Sequence, residues 1–124
     1  MFSYRDDHRV HDAIRAVYEA EKPVAVYCHG VAALVDLKLS DGSYLVSGRT
    51  VTGFSDVEEE YSNQAAGVVV MPWRLEPTLK DRGANYVSAG LFKAFAIRDG
   101  RLVTGQQQYS GRKVAQVVIE MLGV

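Results

Sequence analysis

A single cysteine, Cys28, rules out an intrachain disulfide, so the fold has to stand on its apolar core. No cationic start followed by an apolar stretch and a small-residue cleavage site opens the chain, and the compartment expected from both observations is the reducing cytosol. Long hydrophobic runs are missing as well. The longest, Val31 to Val35 and Gly67 to Met71, fall far short of the ~20 residues needed to cross a bilayer, so no membrane segment is expected. Charge of one sign is not in excess: 14 Lys and Arg stand against 15 Asp and Glu, giving a formal charge of −1. No basic cluster is interleaved with aromatics, which argues against nucleic acid as a partner. Metal ligands are sparse, since His8 and His11 have no carboxylate or thiol at a convincing spacing to join them.

What remains is an ordinary globular composition, 48% apolar and 23% charged, in a length that fits one domain of roughly 100 to 150 residues. The apolar positions Val10, Ala13, Ile14, Val17 and Tyr18 recur at helical spacing and predict an amphipathic helix stopped by Pro23. Val24 to Tyr27 is short, apolar and bounded, like a strand buried in a parallel sheet, and helix followed by buried strand implies an α/β class. Asp41-Gly42 is a turn signal, and Tyr44 to Thr52 alternates well enough for one or two short strands around Gly48. The acidic stretch Asp56 to Glu60 opens a helix to about Ala66, with Ser55 or Asp56 as cap. A short Val68-Val69-Val70 run precedes Pro72. Glu76 to Arg82 reads as a brief helix ended by Gly83, and Tyr86-Val87 as a strand. Phe95 to Arg98 and Arg101 to Thr104 flank Asp99-Gly100 as a hairpin, and Val114 to Leu122 closes the chain as an amphipathic helix. Trp73, Tyr86 and Phe92 are expected as core or interface anchors.

Cys28 falls between the Val24 to Tyr27 strand and the helix formers Val31 to Val35. A thiol at such a turn meets the free amides of a helix N-terminus, which favour thiolate. His29 follows directly and can share or shuttle a proton near neutral pH. Gly30 is expected to allow the cramped backbone and close helix approach of a nucleophile turn.

Strand, Cys28-His29-Gly30, then helix resembles the nucleophile elbow of the ThiJ/PfpI superfamily, within the class I glutamine amidotransferase-like fold. The likeness covers nearly the whole chain. Leu39-Ser40-Asp41-Gly42 followed by Val51-Thr52-Gly53-Phe54 is similar to the segment after the elbow in the heat-shock chaperone and glyoxalase III branch. Asp99 through Gln106 resembles the family's hairpin and the loop returning to the active site. Val31 stands where many relatives carry proline, and Tyr27 where they carry a small apolar residue.

The resemblance implies a flavodoxin-like three-layer sandwich, residues 1–124 forming the C-terminal portion of one ThiJ/PfpI-like domain. Several core strands, and a Gly-Gly-rich turn that contributes an oxyanion amide, would then belong to a segment preceding Met1. A truncated gene product, a half that pairs with another chain and a minimal self-associating domain are the alternatives this leaves. The resemblance also implies a Cys-His-Glu triad, Cys28, His29 and Glu59, the last being the carboxylate five positions beyond Phe54, flanked by Glu58 and Glu60. The implied activity is a cofactor-free, metal-free glyoxalase III type that converts methylglyoxal to lactate, or a protein deglycase acting on glycated substrate. Alternatives are a holdase chaperone or redox-sensing stress protein, an intracellular cysteine amidase or peptidase, and an inactive remnant. Family members are commonly homodimers, and an apolar edge left by missing strands would favour self-association.

Overall fold

Asp7 opens the first helix, α1 (His8–Glu19), by accepting the Arg9 backbone N–H at 2.9 Å, and the chain then turns through Glu21 before Pro23. The computed structural model describes residues 2–69 and 71–123; Val70, which ends the Val68-Val69-Val70 run, lies outside them. Strand β1 (Val24–Tyr27) follows directly. Its alternating side chains are used on both faces. Val24 and Val26 join Ile14 and Tyr18 in the main core, while Tyr27 turns to the opposite face beside Gly105 and Gly111.

The central sheet has the order β1-β5-β4. Strand β5 (Leu102–Gly105) runs parallel to β1 in the register Val24↔Leu102 to Tyr27↔Gly105, and antiparallel to β4 (Ala96–Asp99). Gly100, at φ 60°, makes the hairpin turn. The closing helix α4 (Gly111–Leu122) lies on the Tyr27 face, where Val114 is buried. Helix α1 lies across the other face, so the mixed α/β architecture is layered around this sheet. Among the described residues β1 pairs only with β5. Beside its free edge runs an apolar groove of about 220 Å³ lined by Ile14, Val17 and Val24 among others.

Helix α2 (Asp56–Ala66) is bounded by strong local signals. Ser55 and Glu58 form a reciprocal capping box at its start, and Gly67 ends it in the left-handed conformation, φ 73°. Helix α3 (Leu75–Asp81) presents Leu75 and Leu79, one turn apart and both fully buried, to the core. A pair of two-residue parallel strands, β2 (Thr50–Val51) and β3 (Asn85–Tyr86), lies against the hairpin. Side chains make that junction: the Thr52 N–H donates to Thr104 Oγ1 at 2.9 Å and the Thr50 N–H to Asp99 Oδ2 at 2.7 Å.

Two expectations gain detail. The helix expected after Cys28 is of the 3-10 type (Cys28–Leu34). Its residues Val31, Ala32 and Leu34 are all fully buried, a demand on several sides of the segment that one amphipathic stripe does not meet. Of the one or two short strands expected from Tyr44 to Thr52, the segment supplies one, β2, plus an isolated antiparallel bridge between Lys38 and Tyr44. Leu45 and Val46 are consecutive and both buried, and the Ser47 and Arg49 N–H groups donate back to the Tyr44 and Val46 carbonyls, so the chain turns there instead of extending. Asp36 ties this region together, accepting from Arg5 at 2.6 Å and from Arg82 at 2.8 Å. Trp73 lies under the Arg5 guanidinium, 4.3 Å from its ring centre. No helix among the described residues is long and apolar enough to cross a membrane.

Candidate active site

Cys28 is the first residue beyond β1, and its backbone takes φ 58°, the left-handed region that a side chain rarely occupies. Such a conformation costs on the order of 1 to 3 kcal/mol and persists only where the surroundings impose it. Here extended Tyr27 is held in register with Gly105 on one side, and the 3-10 helix begins on the other. Strain sits on the cysteine itself, contrary to the role expected of Gly30. A Cβ at Gly30 would meet nothing within 4 Å, and Gly30 is not among the residues of positive φ.

The elbow brings its side chain into a chain of three. Cys28 Sγ lies 3.6 Å from His29 Nδ1, and His29 Nε2 lies 2.5 Å from Glu59 Oε1. A carboxylate can only accept, so Nε2 carries the hydrogen and the Nδ1 lone pair faces the thiol. Glu59 is 2% exposed, and the His29 ring rests against Phe54 at 4.2 Å between centroids. Water is therefore largely excluded from the carboxylate end of the chain.

The three consecutive carboxylates of α2 have separate environments, as the 100° step between helical neighbours requires. Glu59 meets His29. Glu60 is exposed and pairs with Arg74 at 2.9 Å. Glu58 is fully buried and accepts from the Ser55 N–H and hydroxyl and from the Phe92 N–H.

Electrostatics at the sulfur run opposite to the expected thiolate. Burial is the largest influence and pushes the Cys28 thiol up from its ordinary value, and the nearby Glu58 and Glu59 carboxylates push the same way. Backbone N–H groups of His29 and Gln108 point at the sulfur and oppose this without reversing it. These influences favour the protonated thiol beside the His29 ring.

Sequence reasoning missed the loop that carries Phe92. Gln106 and Gln107 are fully buried, and their side chains hold Ala89 and Lys93, the Gln106 Oε1 accepting the Ala89 N–H at 2.7 Å. Between them Phe92 sits at φ 51°, with Tyr61, Tyr109 and Phe54 around its ring. The glutamine run 106–108 was the only signal, and its contacts are too distant in sequence to read. Tyr86, by contrast, is an anchor whose hydroxyl donates to the Gly53 carbonyl at 2.7 Å. Val31 is buried against Gly53, and Tyr27 packs beside Gly105 and Gly111. The His8 and His11 rings meet edge to face, 6.5 Å apart, and no group of three or more metal-ligating side chains occurs among the described residues.

Three comparisons bear on this geometry. No family profile matches the chain. A probable glutathione-independent glyoxalase, hsp3103 of Schizosaccharomyces pombe, is 37% identical over 86% of this chain and 43% of its own length. The glutathione-independent glyoxalase HSP31 of Saccharomyces cerevisiae is 31% identical over 98% of this chain and 53% of its own. The crystal structure of glyoxalase III from Candida albicans superposes with a TM-score of 0.83 at 27% identity, over 96% of this chain and 51% of that one. A ThiJ/PfpI domain protein from Brachyspira murdochii, at 18% identity and a TM-score of 0.67, shares the fold. The chain spans about half the length of the curated relatives it matches.

Proposed function

From the premise that this chain is a homologue of the glyoxalase III and Hsp31 proteins with a ThiJ/PfpI fold, we propose that it carries a cysteine-dependent, glyoxalase III-like activity on small reactive 2-oxoaldehydes. The observation that carries this reading is the partly buried chain from Glu59 through His29 to the strained Cys28. Methylglyoxal is the test substrate.

In the proposed reaction the Sγ–H proton passes to His29 Nδ1 as the sulfur attacks the aldehyde carbon. Glu59 holds the Nε2 hydrogen and stabilises the imidazolium that forms. The aldehyde oxygen takes up the proton, giving a hemithioacetal. The hydrogen on the former aldehyde carbon is then removed as a proton while the neighbouring ketone oxygen gains one, giving an enediol; the second carbon takes up a proton and the hydroxyl beside sulfur loses its own, leaving a lactoyl thioester on Cys28. Water cleaves the thioester, lactate departs and the thiol is restored, so the overall change is isomerisation plus one water. Because the resting thiol is neutral, attack depends on the proton reaching His29, which supports a general-base role over a preformed thiolate.

Purified protein given methylglyoxal is expected to form lactate, and blocking Cys28 with iodoacetamide to abolish it. Absence of lactate from unmodified protein would reject the reading. A second reading, holdase activity or self-association through exposed apolar surface, is favoured by the groove along the free β1 edge and by exposed Val68 and Val69. It predicts that suppression of client aggregation survives thiol blocking.

A further inference from the structure

Glu58 stands next to the proposed proton-holding Glu59 and faces the other way. It is fully buried, and all three of its contacts are donors: the Ser55 N–H at 3.1 Å and hydroxyl at 2.9 Å on one oxygen, the Phe92 N–H at 2.9 Å on the other. A capping box needs only the Ser55 half of this arrangement. The Phe92 half joins residues 34 apart and fixes the amide of a residue at φ 51°, where phenylalanine is strained.

That strained backbone places one ring. Phe92 lies 6.3 Å from Phe54, and Phe54 lies 4.2 Å from His29 at an interplanar angle of 33°. The imidazole is therefore bounded by Glu59 at Nε2, Cys28 at Nδ1 and Phe54 on a ring face, and Phe92 in turn lies against Phe54. We propose that Glu58 is a positioning residue: through the Phe92 amide it holds the Phe92 ring against Phe54, and so keeps the His29 imidazole aligned between Cys28 and Glu59. This rests on the reading of that trio as the reacting group. The same linkage would hold the aromatic cluster in which Tyr61 and Tyr109 meet the Phe92 ring edge to face.

The test is 15N NMR of the histidine-labelled full chain, run alongside methylglyoxal kinetics. In the wild type and in Glu60→Gln, His29 is expected as a single tautomer protonated at Nε2. In Glu58→Gln, where an amide replaces an acceptor surrounded by donors, and in Phe92→Gly, which permits the backbone but lacks the ring, the signals should move toward a tautomer mixture. Turnover should fall by about tenfold to 100-fold with KM little changed, the scale on which small misplacements act. The double variant should be no worse than the worse single one, because both break one linkage. Phe92→Tyr, which keeps the ring, should behave as wild type.

If Glu58→Gln lowers the melting temperature but leaves the His29 signals and turnover unchanged, Glu58 is only a helix cap and the proposal is overturned. Should Glu58→Gln fail to fold, Phe92→Gly decides alone, and unchanged His29 signals there overturn it. The NMR result does not depend on lactate formation. Failure of the glyoxalase reading would instead appear as a wild type with an aligned His29 and no turnover.

Discussion

His29 Nε2 lies 2.5 Å from Glu59 Oε1 while Nδ1 of the same ring lies 3.6 Å from Cys28 Sγ, so one imidazole spans the distance between a buried carboxylate and a partly buried thiol. If Glu59 stabilises the imidazolium formed as Cys28 attacks, Glu59→Gln should lower methylglyoxal turnover by roughly 10²- to 10⁴-fold, the usual range for acid–base groups. Glu60→Gln, on the exposed side of α2, should retain full activity. Full activity in Glu59→Gln, with the fold confirmed by its melting curve, would remove Glu59 from the mechanism.

The thiol gives a pH signature of opposite sign to that of a helix-activated cysteine. Burial, with the Glu58 and Glu59 charges, raises Cys28 in the folded state. Iodoacetamide alkylation should therefore inflect above the ordinary thiol value of about 8.5, not below it. Linkage has the same cause: the unfolded chain releases this proton first, so the contribution of Cys28 to stability is present below that value and is lost as pH rises through the folded pKa. In Cys28→Ala this alkaline loss should disappear. An alkylation midpoint below about 7 would overturn the assignment and indicate a resting thiolate.

Strain at Cys28 can be measured by a comparison that cancels loss of the side chain. Both Cys28→Ala and Cys28→Gly remove the thiol, yet only glycine accepts φ 58° without penalty. Cys28→Gly should be more stable than Cys28→Ala by about 1 kcal/mol, after allowing for the larger entropy of glycine in the unfolded chain. At an ordinary helical position the order would be reversed. Equal melting temperatures would mean that the turn relaxes when the sulfur is removed.

How far each feature could be read before the structure depended on how local its cause is. Strand β1 and helix α2 were legible because Pro23 and the capping Ser55 lie beside the ends they set, while the Glu58 half of the capping box and the Gly67 stop came from the structure. The elbow was legible as a strand meeting helix formers, and Glu59 was singled out from its neighbours by family resemblance rather than by periodicity. Structure was needed to separate Glu58 from Glu59, since the first reaches Phe92 and the second His29, contacts spanning 34 and 30 residues. Leu45 and Val46 alternate plausibly as strand residues but are both buried, a fact only tertiary packing decides. The thiol's upward shift was hidden for the same reason. Helix-end polarity can be guessed from sequence, whereas burial beside two carboxylates cannot.

Glycine placement around the elbow yields the last expectation. The Gly in the Cys28-His29-Gly30 motif has open space where a Cβ would stand, whereas Gly105, opposite Tyr27 in β5, has none. A Cβ at Gly105 would lie 2.7 Å from the Tyr27 Cβ and 2.7 Å from Val114 Cγ2, and Ser110 closes the third side at 3.0 Å. Sheet and α4 therefore meet through a glycine at the very level where β1 hands over to Cys28. Gly105→Ala must push Tyr27 or α4 away, at a cost of about 1 to 3 kcal/mol for overpacking. Displacing Tyr27 also displaces the residue that holds the elbow, so the alkylation rate of Cys28 should change along with stability. Gly30→Ala should be neutral or stabilising by up to about 1 kcal/mol, because it restricts the unfolded chain and meets nothing when folded. Thermal melts of the two variants test this directly. If Gly30→Ala were the damaging change and Gly105→Ala the silent one, the motif glycine would be the residue that shapes the turn, and the strain would not reside on Cys28.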